Sequence, residues 1–189
     1  MKYRLKILTL LLLVSLSGKL KSQSINFGIT AHSDNISFDF NTIQSYLAGK
    51  TFYNAYELMV DVSGSQFDLY VGATTSVPGF FDVVSTYSST GTTPPVSILQ
   101  MQFRNSMNTS LMSGFFPLTD ISTPTYIIGT PAAPDLSISC PNAGTNVAGS
   151  YLTNPGCYKF NIDLKIVPGF SYKPGLYTLR IDYILIQDL

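Results

Sequence analysis

The stretch from Tyr158 to Ile166 constrains this chain more than any other. Phe160, Ile162, Leu164 and Ile166 alternate with Lys159, Asn161, Asp163 and Lys165. Apolar residues at every second position share one side of an extended strand and scatter around a helix. The segment therefore reads as a strand with one buried face and one wet face.

The same period recurs along the chain. Ile36, Phe38 and Phe40 alternate with Ser37, Asp39 and Asn41. Phe52, Tyr56, Leu58, Val60 and Val62 are placed on one face, with Tyr53, Glu57, Asp61 and Ser63 on the other. Phe67, Leu69 and Val71 form another set, and Leu99, Met101 and Phe103 another. The run Leu176 to Gln187 reads as one long strand, with Tyr177, Leu179, Ile181, Tyr183 and Leu185 on one face. Alternation of this kind belongs to antiparallel sheets that cover one core. Pro78-Gly79, Pro94-Pro95, Asn154-Pro155-Gly156, Pro168-Gly169 and Pro174-Gly175 punctuate the gaps as turns. A turn of helix is expected only around Ile43 to Leu47. Ser85 to Pro95 and Thr123 to Pro134 read as long connections, the second around a short strand at Tyr126 to Ile128. The expected fold is all-β: an antiparallel Ig-like or jelly-roll-type β-sandwich.

The first residues belong to something else. Lys2, Arg4 and Lys6 precede an apolar run from Ile7 to Leu16, followed by a short polar stretch. This is the layout of a secretory signal peptide, with an apolar run too short to span a bilayer. The cut is placed after Ser22, with a site near Gly18 as the alternative; an uncleaved apolar anchor is the other reading. Residues 1–22 are then the signal and residues 23–189 a single β-sandwich domain, exported to the periplasm, the cell surface or the medium. No transmembrane segment is expected in the mature chain.

Removing the signal changes the charge balance. Five of the eleven basic residues lie in it and all eleven acids lie after it, which leaves a net charge of −5. A mildly acidic surface repels phosphate backbones, so nucleic acid is not an expected partner. Cys140 and Cys157 are the only cysteines. In an exported chain a lone pair reads as one disulfide, closing a loop rich in Gly, Asn, Pro and Thr.

Residues with chemistry are few. His32 is the single histidine, beside Ser33 and Asp34 on what reads as a turn. Adjacent residues on a turn do not aim at one another as a catalytic triad requires. Asp61 and Asp163 are strand-face carboxylates with nothing in the sequence to pair them across a cleft. There is no glycine-rich phosphate loop and no acidic run of the kind that binds calcium, though loop-held calcium stays open. No catalytic residue, cofactor or metal site is therefore assigned, and the chain is not expected to be an enzyme.

Aromatic residues are the more promising feature. The chain has twelve Tyr, twelve Phe and no Trp. Tyr46, Tyr53, Tyr70, Tyr87, Tyr126, Tyr151 and Tyr172 fall at polar-face or loop positions, where a tyrosine can stack on a sugar or enter a protein interface. Tyr87 and Tyr126 are the candidate binding aromatics. The chain ends are suggestive as well. Ile25, Phe27 and Ile29 alternate just after the expected cut, and Tyr183-Ile184-Leu185-Ile186 is apolar on both faces. A strand of the second kind is buried on both sides or paired with another chain. Ile25, Phe27 and Ile29 are the candidate assembly strand, which would complete the sheet of a neighbouring subunit.

The run Pro174-Gly-Leu-Tyr-Thr-Leu-Arg-Ile-Asp-Tyr-Ile-Leu-Ile-Gln187 resembles the last strand of secreted pilin-like and spore-coat-U-type β-sandwich proteins. Leu58 to Val62 followed by Phe67 to Val71 is similar to their mid-domain hairpins. The resemblance implies a fimbria-like subunit that assembles by strand addition. It does not extend to the disulfide, which usually links early strands in fimbrial subunits and would lie late here. The expected function is a secreted structural or adhesive surface protein, with self-association or other surface proteins as partners. The alternative is an extracellular module that binds a glycan or a host surface through its loop tyrosines.

Overall fold

The strongest alternating segment becomes the centre of the largest sheet. A computed structural model of the chain describes residues 24–31, 36–63, 67–105, 114–128 and 157–187. The expected signal, His32 to Asp34, Tyr151 and Cys140 lie outside them, so the Cys140–Cys157 disulfide does too. Strand β8 (Cys157–Ile166) pairs with β2 (Lys50–Ser63) on one side and β5 (Leu99–Asn105) on the other. Strand β1 (Ser24–Ala31) flanks β2, and the short β6 (Phe116–Pro117) flanks β5, giving the order β1-β2-β8-β5-β6.

A second sheet has the order β10-β3-β7, from β10 (Arg180–Gln187), β3 (Phe67–Thr74) and β7 (Thr125–Ile128). A separate two-stranded ribbon joins β4 (Asp82–Thr86) to β9 (Gly175–Thr178). All the named strands pair antiparallel. The fold is all-β and sandwich-like. Leu58, Val60, Met101, Phe103, Phe160 and Ile162 from the larger sheet are fully buried, as are Leu69, Val71 and Ala73 from the smaller one. Each large side chain buried this way stabilises the fold by roughly 1.5–3 kcal/mol.

One side of the sandwich is stitched together by backbone. After β6 the chain crosses from the first sheet to the second. The Leu118 amide donates to the Leu99 carbonyl at 2.8 Å, the Ala73 amide to the Thr119 carbonyl at 2.8 Å, and the Ile121 amide to the Ala73 carbonyl at 2.9 Å. This crossing runs so close to β3 that a Cβ on Gly72 would lie 2.6 Å from the Ile121 Cα.

The sequence reading needs four corrections. Ile36, Phe38 and Phe40 do alternate in burial and pack on the core, but residues 36–40 form no ladder. The segment packs on the core beside the gap between the sheets. In β2 the face is broken between Phe52 and Tyr56, where a bulge sets the three residues Tyr53, Asn54 and Ala55 against Asp163 alone. Phe52 is 39 % exposed while Ala55 is buried. Ser85 and Thr86, read as loop, belong to β4. The closing run is two strands, not one: β9 pairs with β4 and β10 with β3, and the chain changes sheets at Leu179. The inward set from Tyr177 to Leu185 still packs on the core, because one unpaired residue leaves the period unchanged.

The expected helical turn is α1 (Ile43–Ala48). A capping box starts it: Thr42 Oγ1 accepts from the Ser45 amide at 3.1 Å, and Ser45 Oγ accepts from the Thr42 amide at 3.2 Å. It buries none of its residues, and Ile43 and Leu47 point to solvent. No helix among the described residues is long and apolar enough to cross a membrane.

Candidate functional site: an open cleft between the sheets

Opposite the stitched side, the sandwich stays open. Strands β1 and β10 are the outer strands of their sheets, and no further strand pairs with either among the described residues. Ile29 of β1 lies opposite Leu58 of β2. Directly opposed residues in an antiparallel pair share a face. Leu58 is fully buried, yet Ile29 is 53 % exposed. Among the described residues no layer therefore covers the inward face of β1 at Ile29.

The gap forms a cleft of about 930 Å³. Tyr56, Leu164 and Ile166 line it from the larger sheet, and Ile181 and Tyr183 from the smaller one. The segment 36–41 runs along one lip, and the loop before β9 along another. The walls are mainly aliphatic and aromatic. Among the described residues the two charged lining ones, Asp39 and Lys173, sit in these covering segments and not on the sheet faces.

Two phenols meet inside. The hydroxyls of Tyr56 and Tyr183 are 2.5 Å apart, and the rings cross edge to face at 6.2 Å. Burial pushes the Tyr56 phenol well above its ordinary value, against the opposing pull of its hydrogen bond with Tyr183. Burial raises Tyr183 as well, and the neighbouring Tyr56 adds to the effect. Both therefore stay protonated. A third phenol, Tyr177, donates to the Lys173 carbonyl at 2.7 Å and fixes the loop at the rim.

A chain of rings borders the cleft. Phe52, Phe38, Phe40, Tyr46 and Phe170 follow one another with centroid separations of 4.8, 6.5, 5.7 and 5.3 Å. The rings come from β2, the covering segment, α1 and the loop after β8. Phe170 at the end is 61 % exposed.

The residues singled out from the sequence are dispersed. Tyr87 is 75 % exposed and lies at the cleft. Tyr126 is half-buried in β7, with its ring 5.2 Å from that of Tyr70. Burial raises the Tyr126 phenol, and the charge of Asp68 adds to the shift. Ile25 and Phe27 sit at the β1 positions opposite Val62 and Val60, within the chain's own sheet. Tyr183 to Leu185 are half-buried and Ile186 is 46 % exposed.

Asp61 and Asp163 do not meet. Asp61 pairs with Cys157, and Asp163 is six positions further along β8. That places them about 20 Å apart along the strand, too far for paired carboxylate chemistry. Asp163 is instead buried under the β2 bulge beside Arg104. No group of His, Cys, Asp or Glu among the described residues is arranged to hold a metal.

The two tyrosines that meet in the cleft are not among those at polar-face or loop positions. Their signal was present: Tyr56 precedes Leu58 and Val60, and Tyr183 stands between Ile181 and Leu185, each putting a hydroxyl into an inward row. Comparison with protein-family models finds no match, and neither does comparison with curated proteins.

Proposed function

We propose that this chain is an exported structural or adhesive surface protein, an Ig-like sandwich of the pilin-like kind, that assembles by strand addition. The carrying observation is the open side, where the outer strands β1 and β10 flank a cleft that leaves the inward-facing Ile29 exposed. An unpaired edge is a template for another strand, and soluble proteins rarely leave one beside apolar surface. The N-terminal strand with Ile25, Phe27 and Ile29 is held, among the described residues, along one edge only, by β2. Exchange between copies would keep that register while linking one subunit to the next.

The test is the size of the mature protein over a range of concentrations, with electron microscopy of the same samples. Concentration-dependent multimers or filaments that vanish when residues 24–31 are deleted support assembly. A strict monomer at high concentration overturns it. One observation favours the glycan-binding alternative: Tyr87 is exposed at the cleft mouth. Under that reading Tyr87→Ala abolishes binding on a glycan array; an array without hits rejects it.

A further inference from the structure

We propose that the cleft between the sheets binds a neutral, elongated apolar molecule, an acyl ester, whose carbonyl oxygen accepts a hydrogen bond from the Tyr56–Tyr183 pair. This goes beyond the assembly reading and does not rest on it.

The size comes first. A volume of about 930 Å³ falls in the range of small-molecule sites. Such sites are mostly apolar, with a few convergent polar groups that fix orientation. Here Ile36, Ile166, Leu176 and Ile181 provide apolar wall, and the phenol pair provides the polar point.

The chemistry of the pair selects the ligand atom. Two hydroxyls carry two protons, and the bond between them uses one. With Tyr183 as the donor, Tyr56 has its own proton to offer into the cleft. The partner must then be an acceptor oxygen. Among the described residues an anionic headgroup would find no counter-ion on the sheet faces, because Lys173 lies in the rim loop. Burying an unpaired charge is costly, whereas a neutral carbonyl loses little once it is hydrogen-bonded. A sugar would need polar partners all around its ring, and the polar lining residues Ser37, Asn41, Tyr46 and Tyr87 lie at the rim and not on the two sheet faces that Tyr56 and Tyr183 join.

The test is displacement of a neutral, polarity-sensitive naphthylamine dye from the mature protein. The competitors are methyl oleate, oleate and octadecane. Methyl oleate is expected to displace the dye saturably and to outcompete the other two. Tyr56→Phe should weaken methyl oleate about five-fold, the loss of one hydrogen bond, and leave octadecane unchanged. Tyr183→Phe provides the same reading if the first variant unfolds. Leu176→Trp, at an exposed position on the lip, should weaken every competitor by blocking the mouth. Failure of methyl oleate to displace dye, equal displacement by octadecane, or indifference to both tyrosine variants overturns the proposal. Sizing the same samples separates this outcome from failure of assembly.

Discussion

Arg104 grips Asp163 with two nitrogens: Nε donates to Oδ2 at 2.7 Å and Nη2 to Oδ1 at 2.7 Å. The carboxylate is 1 % exposed, although its position in β8 alternates with the core residues. It is covered because the β2 bulge folds over it. The Asn54 amide donates to Asp163 Oδ1 at 2.8 Å, and Arg104 Nη2 donates to Asn54 Oδ1 at 2.6 Å. Three strands are thus tied at one carboxylate. Removing one member of a buried pair leaves the other charge without compensation. Arg104→Ala is expected to cost about 3 kcal/mol in urea unfolding. Asp163→Asn should cost less, since it keeps an acceptor for the Asn54 amide. A negligible loss in Asp163→Asn beside a full loss in Arg104→Ala would show that Arg104 acts by packing alone.

The bulge makes a second demand. Asn54 has φ of 51°, the one non-glycine residue with positive φ among the described residues. Asparagine tolerates that region better than alanine does. Asn54→Ala should destabilise by about 1–2 kcal/mol, combining backbone strain with the lost bond to Arg104. Asn54→Gly should cost less, because it relieves the strain while losing the same bond. Unfolding midpoints of the two variants check the order.

The crossing between the sheets predicts a difference between two glycines. Gly72→Ala sets a methyl group against the backbone of Ile121 and should destabilise by about 1–3 kcal/mol. Gly28→Ala in β1 meets only the end of the Met59 side chain at 3.8 Å, an ordinary contact. It should leave the unfolding midpoint unchanged within about 0.5 kcal/mol.

Alkaline unfolding should report on the phenol pair. Tyr56 and Tyr183 have folded-state values raised above the ordinary 10.0. The folded state then holds their protons more tightly than the unfolded state does. Stability from this source is complete below about pH 10 and falls as the pH rises from there toward the folded-state values. Tyr56→Phe with Tyr183→Phe should flatten that fall. Tyrosinate absorbance, followed together with unfolding, checks whether these phenols ionise only as the chain opens.

Much of the sheet structure was legible in the sequence. Leu58 with Val60, Met101 with Phe103, and Phe160 with Ile162 each reported a face, since burial on one side imposes a period of two. Pattern could not say which strands pair. The period of Ile36 to Phe40 reports burial without a ladder, because contact with a core alone imposes it. Leu176 to Gln187 keeps its period while changing sheets at Leu179. Asp163 looked like an ordinary wet-face acid. Its partner Arg104 lies 59 positions away, and the bulge that covers it depends on three-dimensional pairing. The cleft was illegible for the same reason: its walls come from segments joined only by the fold.

The crossing at Leu118 to Ile121 makes the sandwich resemble a book with a spine. Hydrogen bonds from Leu118, Ala73 and Ile121 hold that margin, while the opposite margin is spanned by the covering segment and by side chains such as Tyr56 and Tyr183. Separating the covers at the free margin leaves every backbone bond of the spine intact. Stiffness is therefore unequal in direction: a load along the spine is carried by backbone, and a load prising the covers apart is carried by side-chain contact.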